Sequence, residues 1–358
     1  MTSARPVLVP SAKPAVLQFD VTPDPAREWD DYVCAHPFGT PFHLTAWKDS
    51  IRETFGYQPM YVSVRRNGRL AGVTPLFLVK GLLTGKALIS TPFAVYGGAL
   101  ADDEAIYSAI GEYLRGMGTR LGVQYVEMRN AHPGQVLGFS PAPRYVTFTQ
   151  QIGPDQDAVL ESIPRKTRRM VRKSMGQNLD VHVETADPRP FEDLYLTNLR
   201  RLGTPAFPSS HFRNLLKHFR GSIDIREYRS GDRLAAAVLT FYFRGQVMPY
   251  YGASEPTLNA LAPNNFMYFD LMRWGGANGF HTFDFGRSKK EVGGSYDFKS
   301  HWGMTERDLP YEMLLVRRKE LPNNSPANPL FRLPILLWQR LPLWLTRRLG
   351  PSLIRLVP

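Results

Sequence analysis

Residues 60–78, MYVSVRRNGRLAGVTPLFL, read as two strands of alternating apolar and polar residues around Asn67-Gly68, a dipeptide that favours a two-residue hairpin turn. The pattern returns over residues 223–243, IDIREYRSGDRLAAAVLTFYF, with its turn at Gly231-Asp232, and Arg69-Leu70-Ala71-Gly72 matches Arg233-Leu234-Ala235-Ala236. Working outward, the likeness runs through a third strand ending Tyr96-Gly97-Gly98 against Tyr250-Tyr251-Gly252. A helix over 102–117 against 263–278 follows, then a strand over 122–128 against 279–285. Helical segments over 45–55 and 191–219 precede the later strands of each copy. The sequence therefore predicts one α/β unit of mixed α+β layers used twice. The expected domains are 15–150 and 151–318, followed by a Pro- and Asn-rich linker (Leu321–Pro329) and a basic amphipathic tail within 319–358.

With 43% hydrophobic and 21% charged residues over 358 positions, the chain has the apolar content for real cores, which excludes wholesale disorder. Cys34 is the one cysteine, so no internal disulfide and no CxxC site is expected, and a reducing, cytoplasmic compartment fits. Pro6, Pro10 and Pro14 interrupt the N-terminal stretch, which offers no signal-peptide core, and no apolar run is long enough to span a bilayer. The histidines show neither HxxxH nor HExxH spacing, so no metal is expected. The absence of GxSxG and Walker loops argues against serine hydrolase and NTPase chemistry. Arg115-Gly116-Met117-Gly118 imitates a pyrophosphate loop, but it ends a helix rather than opening one.

The net charge of +12 is concentrated. Residues 164–173 hold Arg165, Lys166, Arg168, Arg169, Arg172 and Lys173 with no acid, and the tail holds Arg332, Arg340, Arg347, Arg348 and Arg355. Arg165, Arg168, Arg169 and Arg172 follow helical spacing and share one face. That face suits a phosphate-bearing ligand such as RNA, coenzyme A or a nucleotide-linked sugar, the alternative being a solvated surface. In the tail, Leu337, Leu341, Trp344 and Leu345 recur at helical spacing beside Trp338. This suits peripheral contact with an anionic membrane on its inner face, or docking of the apolar face onto the globule.

The most distinctive residues close the second copy: Phe283-Asp284-Phe285-Gly286-Arg287-Ser288, then Ser295-Tyr296-Asp297-Phe298-Lys299 and Trp302-Gly303. Together with the basic segment 163–173, they resemble the FemAB family of tandem Gcn5-related (GNAT) acyltransferases over roughly residues 15–318, and more narrowly the branch associated with exosortase and PEP-CTERM envelope systems. The resemblance implies two GNAT-like domains and an N-acyltransferase or aminoacyltransferase acting on an amine of cell-envelope or exopolysaccharide metabolism. It implies no tightly bound cofactor, with acyl-CoA or aminoacyl-tRNA as donor. In relatives that build peptidoglycan cross-bridges, a Phe-Lys pair acts at the reacting carbonyl, and Phe298 and Lys299 match it. The chain lacks the long coiled-coil insertion of those enzymes.

Amide formation builds negative charge on a carbonyl oxygen, which a fixed cation such as Lys299 would stabilise. Asp284 is the candidate acceptor of the amine proton, or else a structural carboxylate paired with Arg287. Arg287 suits a phosphate or carboxylate. Glu127 holds the matching place in the first copy without the following Gly-Arg. Tyr251, Asn265 and Tyr296 complete the expected substrate-binding set. Asn264 reads as a helix cap and Gly293-Gly294 as a turn. Two other readings stand beside the lead: an acyl-CoA-dependent N-acetyltransferase of a small amine or amino sugar, and a non-catalytic RNA-binding protein on the same scaffold.

Overall fold

A computed structural model describes residues 16–81, 85–290, 294–321 and 329–356; the N-terminal prolines, Gly293 and most of the Pro/Asn-rich linker lie outside them. Both hairpins form as expected. Tyr61–Arg66 and Arg69–Thr74 pair antiparallel with Arg66 opposite Arg69, and Asn67 and Gly68 both adopt positive φ, 52° and 84°, as a twisted two-residue turn requires. Ile223–Ser230 and Arg233–Phe243 repeat the arrangement, with Ser230 opposite Arg233. The expected helices are Thr45–Phe55, Glu104–Leu121 and Pro263–Ala277, and Asp103 caps the second of these by accepting from Ile106 N. The single helical stretch expected over 191–219 divides into Arg189–Leu202 and Ser210–His218, because Pro205 and Pro208 stand between them.

The third strand of the first copy differs from its expected form. Gly85–Ser90 ends before Thr91-Pro92, and residues 91–99 run as a loop to Leu100–Ala101, whereas Gln246–Ser254 in the second copy continues as strand through Tyr250-Tyr251-Gly252. A proline cannot donate to a ladder, and Pro92 stops this one. Pro75 likewise interrupts the first copy's strands. Its sheet is split into a four-stranded and a six-stranded part, while the second copy forms one seven-stranded sheet.

The halves exchange strands. Tyr145–Gln151 lies between Thr282–Lys289 and Thr305–Asp308 in the seven-stranded sheet, and Glu312–Leu315 lies between Tyr125–Met128 and Ser140–Pro141 in the six-stranded one. A common core joins them as well. Phe42 and Trp47 are fully buried against Phe241 and Tyr250, with Phe42 and Tyr250 rings 5.0 Å apart. Helix Thr45–Phe55 packs on Ser210–His218, where Ser50 Oγ donates to Asn214 O. The tail helices Pro329–Arg340 and Leu343–Ile354 dock on Arg189–Leu202 instead of standing free.

Candidate active site

The strand Thr282–Lys289 carries a bulge. Against Tyr145–Gln151, Asp284 lies opposite Thr149 and Arg287 opposite Thr147, so one strand holds one residue more than its partner. Gly286 absorbs it at φ 67°, a conformation that costs glycine little. In a regular strand residues 284 and 287 would point to opposite faces. Here both turn toward the face that carries Thr147 and Tyr145. The Asp284 carboxylate accepts from Tyr96 Oη at 2.7 Å and Thr147 Oγ1 at 2.9 Å, and the Arg287 guanidinium stacks 4.5 Å over Tyr145 with Nη1 3.5 Å from the Tyr311 hydroxyl. Phe283 and Phe285 face the other way, into the core that includes Met267 and Leu271 of helix Pro263–Ala277.

Two side chains hold the bulge. Asp284 Oδ1 accepts from Gly286 N at 2.7 Å. Lys299, on helix Gly294–Ser300, donates to the carbonyls of Phe285, Gly286 and Arg287 at 2.5, 3.2 and 3.2 Å. Burial pushes the lysine down to about 8; Asp284 favours its charge and Arg287 opposes it. All three ammonium protons are engaged by main chain, so Lys299 fixes the geometry of the strand. Phe298 lines this spot among Tyr268, Phe285 and Trp302, with its ring 6.0 Å from Trp302. Tyr296 turns outward and donates to Glu306 at 2.9 Å.

Strands Gln246–Ser254 and Thr282–Lys289 run parallel but pair only at Gln246–Thr282 and Val247–Phe283 before they part. Asp284 is the first residue beyond that pairing. It is buried, and it borders a cleft of about 310 Å³ lined by Tyr96, His132 and Thr149 from the first half and by Gln246, Thr282 and Arg307 from the second. Arg287 is half-buried and forms no ion pair among the described residues, so the pairing of Asp284 with Arg287 is absent. At the matching place in the first copy, Glu127 is neutralised by Arg129 at 2.7 Å.

Other expected residues are scattered. Tyr251 is buried in an aromatic cluster, its hydroxyl 3.2 Å from His211 Nε2, and does not meet Asp284. Asn265 is half-buried in the first turn of Pro263–Ala277. Asn264 is no cap: its amide donates to Ser254 Oγ, and Ala262 occupies the N-cap position. Arg165, Arg168, Arg169 and Arg172 share one face of helix Arg165–Met175 and line a concavity of about 440 Å³, with no carboxylate paired to them among the described residues. This helix is fastened to the Lys299 segment, since Thr167 Oγ1 donates to His301 O at 2.6 Å. Among the described residues no group of three or more His, Cys, Asp or Glu gathers as metal ligands would.

The sequence reading missed Tyr96 and Thr147. In the sequence Tyr96 reads as the end of a strand in the Tyr-Gly-Gly of the first repeat, and Thr147 carries no signal, because its role comes from the strand exchange.

Residues 161–300 match the acetyltransferase (GNAT) domain family. No curated protein matches the sequence. Among solved structures, the chain is similar to FemX, with a TM-score of 0.62 and 16% identity over 88% of this chain and 99% of that one. It is similar to L-PGS from Bacillus licheniformis, with a TM-score of 0.55 and 14% identity over 89% and 96%. It is also similar to a tandem GNAT protein from the clavulanic acid biosynthesis pathway, with a TM-score of 0.54 and 10% identity over 85% and 100%. The chain has the tandem GNAT fold of these structures, and its second half matches the acetyltransferase (GNAT) domain family.

Proposed function

We propose that this protein is an N-acyltransferase that moves an activated acyl or aminoacyl group onto an amine of cell-envelope or exopolysaccharide origin. The observation that carries the reading is the position of Asp284, one residue beyond the point where two parallel strands part and at the edge of a polar cleft shared by both halves. The donor's acyl arm enters the gap between the strands, and the acceptor amine arrives through the cleft. The amine nitrogen attacks the acyl carbon, a C–N bond forms, and the C–S bond of a thioester or the C–O bond of an aminoacyl ester breaks. Asp284 receives the amine proton directly or through one water, and the same proton then passes to the leaving thiolate or alkoxide, which returns Asp284 to its carboxylate form. Arg287, without a carboxylate partner, supplies positive charge for the donor.

The arginine face of residues 165–172 is assigned to the phosphates of the donor, coenzyme A or tRNA, because its helix is tied to the segment that carries Lys299. That unpaired face also favours the RNA-binding reading, under which the protein forms no amide and changes at Asp284 leave RNA binding intact. The test is amide formation from acetyl-CoA and from aminoacyl-tRNA with amino-sugar and peptide amines, in the wild type and in Asp284→Asn. The substitution is expected to lower turnover by about a hundredfold with the fold retained; undiminished turnover overturns the assignment.

A further inference from the structure

The two tail helices are fastened to the protein on one face only. Trp338 is buried with its Nε1 donating to Thr204 O at 3.1 Å, Ile335 packs over Gly203, Arg347 pairs with Asp193, and Ile354 enters the core. On Pro329–Arg340 the opposite face carries Leu333, Leu336 and Leu337, and on Leu343–Ile354 Trp344, Leu349 and Leu353 stand exposed on the sides left free by the buried Thr346, Gly350 and Ile354, with Trp344 at 66% and Leu333 at 65%. Most large apolar side chains of a monomer's surface stand singly; here six occupy two consecutive helices docked on the same neighbour. Arg332, Arg340, Arg348 and Arg355 are exposed among them, and residues 321–358 contain no acid.

We infer that this outer face is an in-plane docking surface for a bilayer of anionic lipid. Each helix has 12 residues, and no helix among the described residues is long and apolar enough to cross a membrane, so the tail lies in the headgroup region. Tryptophan suits that boundary, its ring in apolar surroundings and its N–H toward water. The unbalanced arginines select anionic headgroups and make the contact sensitive to salt. Because the inner face is already packed, binding needs no refolding, and the transferase body is brought to the membrane in a fixed orientation. The inference does not depend on the proposed transferase chemistry.

The test is co-sedimentation of the full chain with vesicles of phosphatidylcholine, with and without phosphatidylglycerol. The wild type is expected to pellet with the anionic vesicles, to remain in solution with the neutral ones, and to be released by high salt. The exposed double substitution Leu337→Glu with Trp344→Glu is expected to weaken binding by about tenfold or more at an unchanged melting temperature. Wild type that stays in solution with anionic vesicles, or a double variant that pellets as the wild type does, overturns the inference. So does a dimer, seen by sedimentation velocity without lipid, that the same two substitutions abolish, since the face would then belong to a second copy.

Discussion

The hydroxyl of Tyr96 donates a 2.7 Å hydrogen bond to the carboxylate of Asp284, across 188 positions of sequence and from one half of the molecule to the other. The first half thus helps hold the candidate base of the second. Tyr96→Phe removes this donor and leaves Thr147 and Gly286 N in place. Turnover is expected to fall about tenfold with the KM for the donor little changed, because the lost contact orients the base and does not bind the donor. Steady-state kinetics with saturating acceptor checks this, and an equal loss in KM would assign Tyr96 to donor binding instead.

Gly286→Ala tests the bulge. A Cβ there meets Val95 at an ordinary 3.7 Å, so the cost is that of holding alanine at φ 67°, about 1 kcal/mol. The melting temperature should drop by a few degrees while activity is lost far more severely, since relaxation of the bulge turns Arg287 to the other face of the strand.

Lys299 gives an alkaline limb. Its folded pKa of about 8 lies below the ordinary 10.5, so above pH 8 the folded protein loses a proton that the unfolded chain keeps. Stability from this group therefore rises with pH through that window, while activity falls as the neutral amine holds the three carbonyls less firmly. Lys299→Met should lower activity at every pH and remove the limb from the profile.

Acid should act through two buried histidines. Burial pushes His43 down to about 4 and His211 to about 3, both below the ordinary 6.5. The unfolded chain binds protons that the folded one refuses, so stability is lost as pH falls below 6.5, by about 2 kcal/mol for each histidine between pH 7 and pH 5. Urea titrations at the two pH values measure the loss, and His43→Asn should reduce the pH dependence.

Separating the chain at residue 150 should fail to give folded halves. The cut severs Tyr145–Gln151, which the seven-stranded sheet needs, and strands Glu312–Leu315 away from the six-stranded one. Glu312 also accepts from Asn130 Nδ2, Leu137 N and Phe139 N, which would be left buried without their partner. Each half expressed alone should lack a cooperative melting transition.

Much of this fold is written in local patterns. Asn67-Gly68 and the repeat after Arg233 specify the hairpins, and Asp284 to Arg287 stand out as a motif, because turns and strands are decided within a few residues. The strand exchange carries no such mark: Tyr145–Gln151 and Glu312–Leu315 choose partners across the halves by tertiary packing. For that reason Thr147 was invisible, and the engagement of Lys299 by three carbonyls, which depends on the left-handed Gly286, was not expected. Tyr251 looked like a polar ligand because its sequence does not say which face of the strand meets the aromatic cluster. Of the two readings of the tail, docking on the globule is what Trp338 and Ile354 do, while contact with lipid is the inference drawn from the residues they leave exposed.

The most direct measurement is calorimetric titration of the purified protein with acetyl-CoA and, in parallel, with aminoacyl-tRNA, repeated on Arg287→Met with its fold checked by circular dichroism. Saturable binding of one donor, weakened about tenfold or more by the substitution, is the predicted result. Binding of neither donor, or equal binding by the variant, would contradict the placement of the donor between the parting strands of the second half.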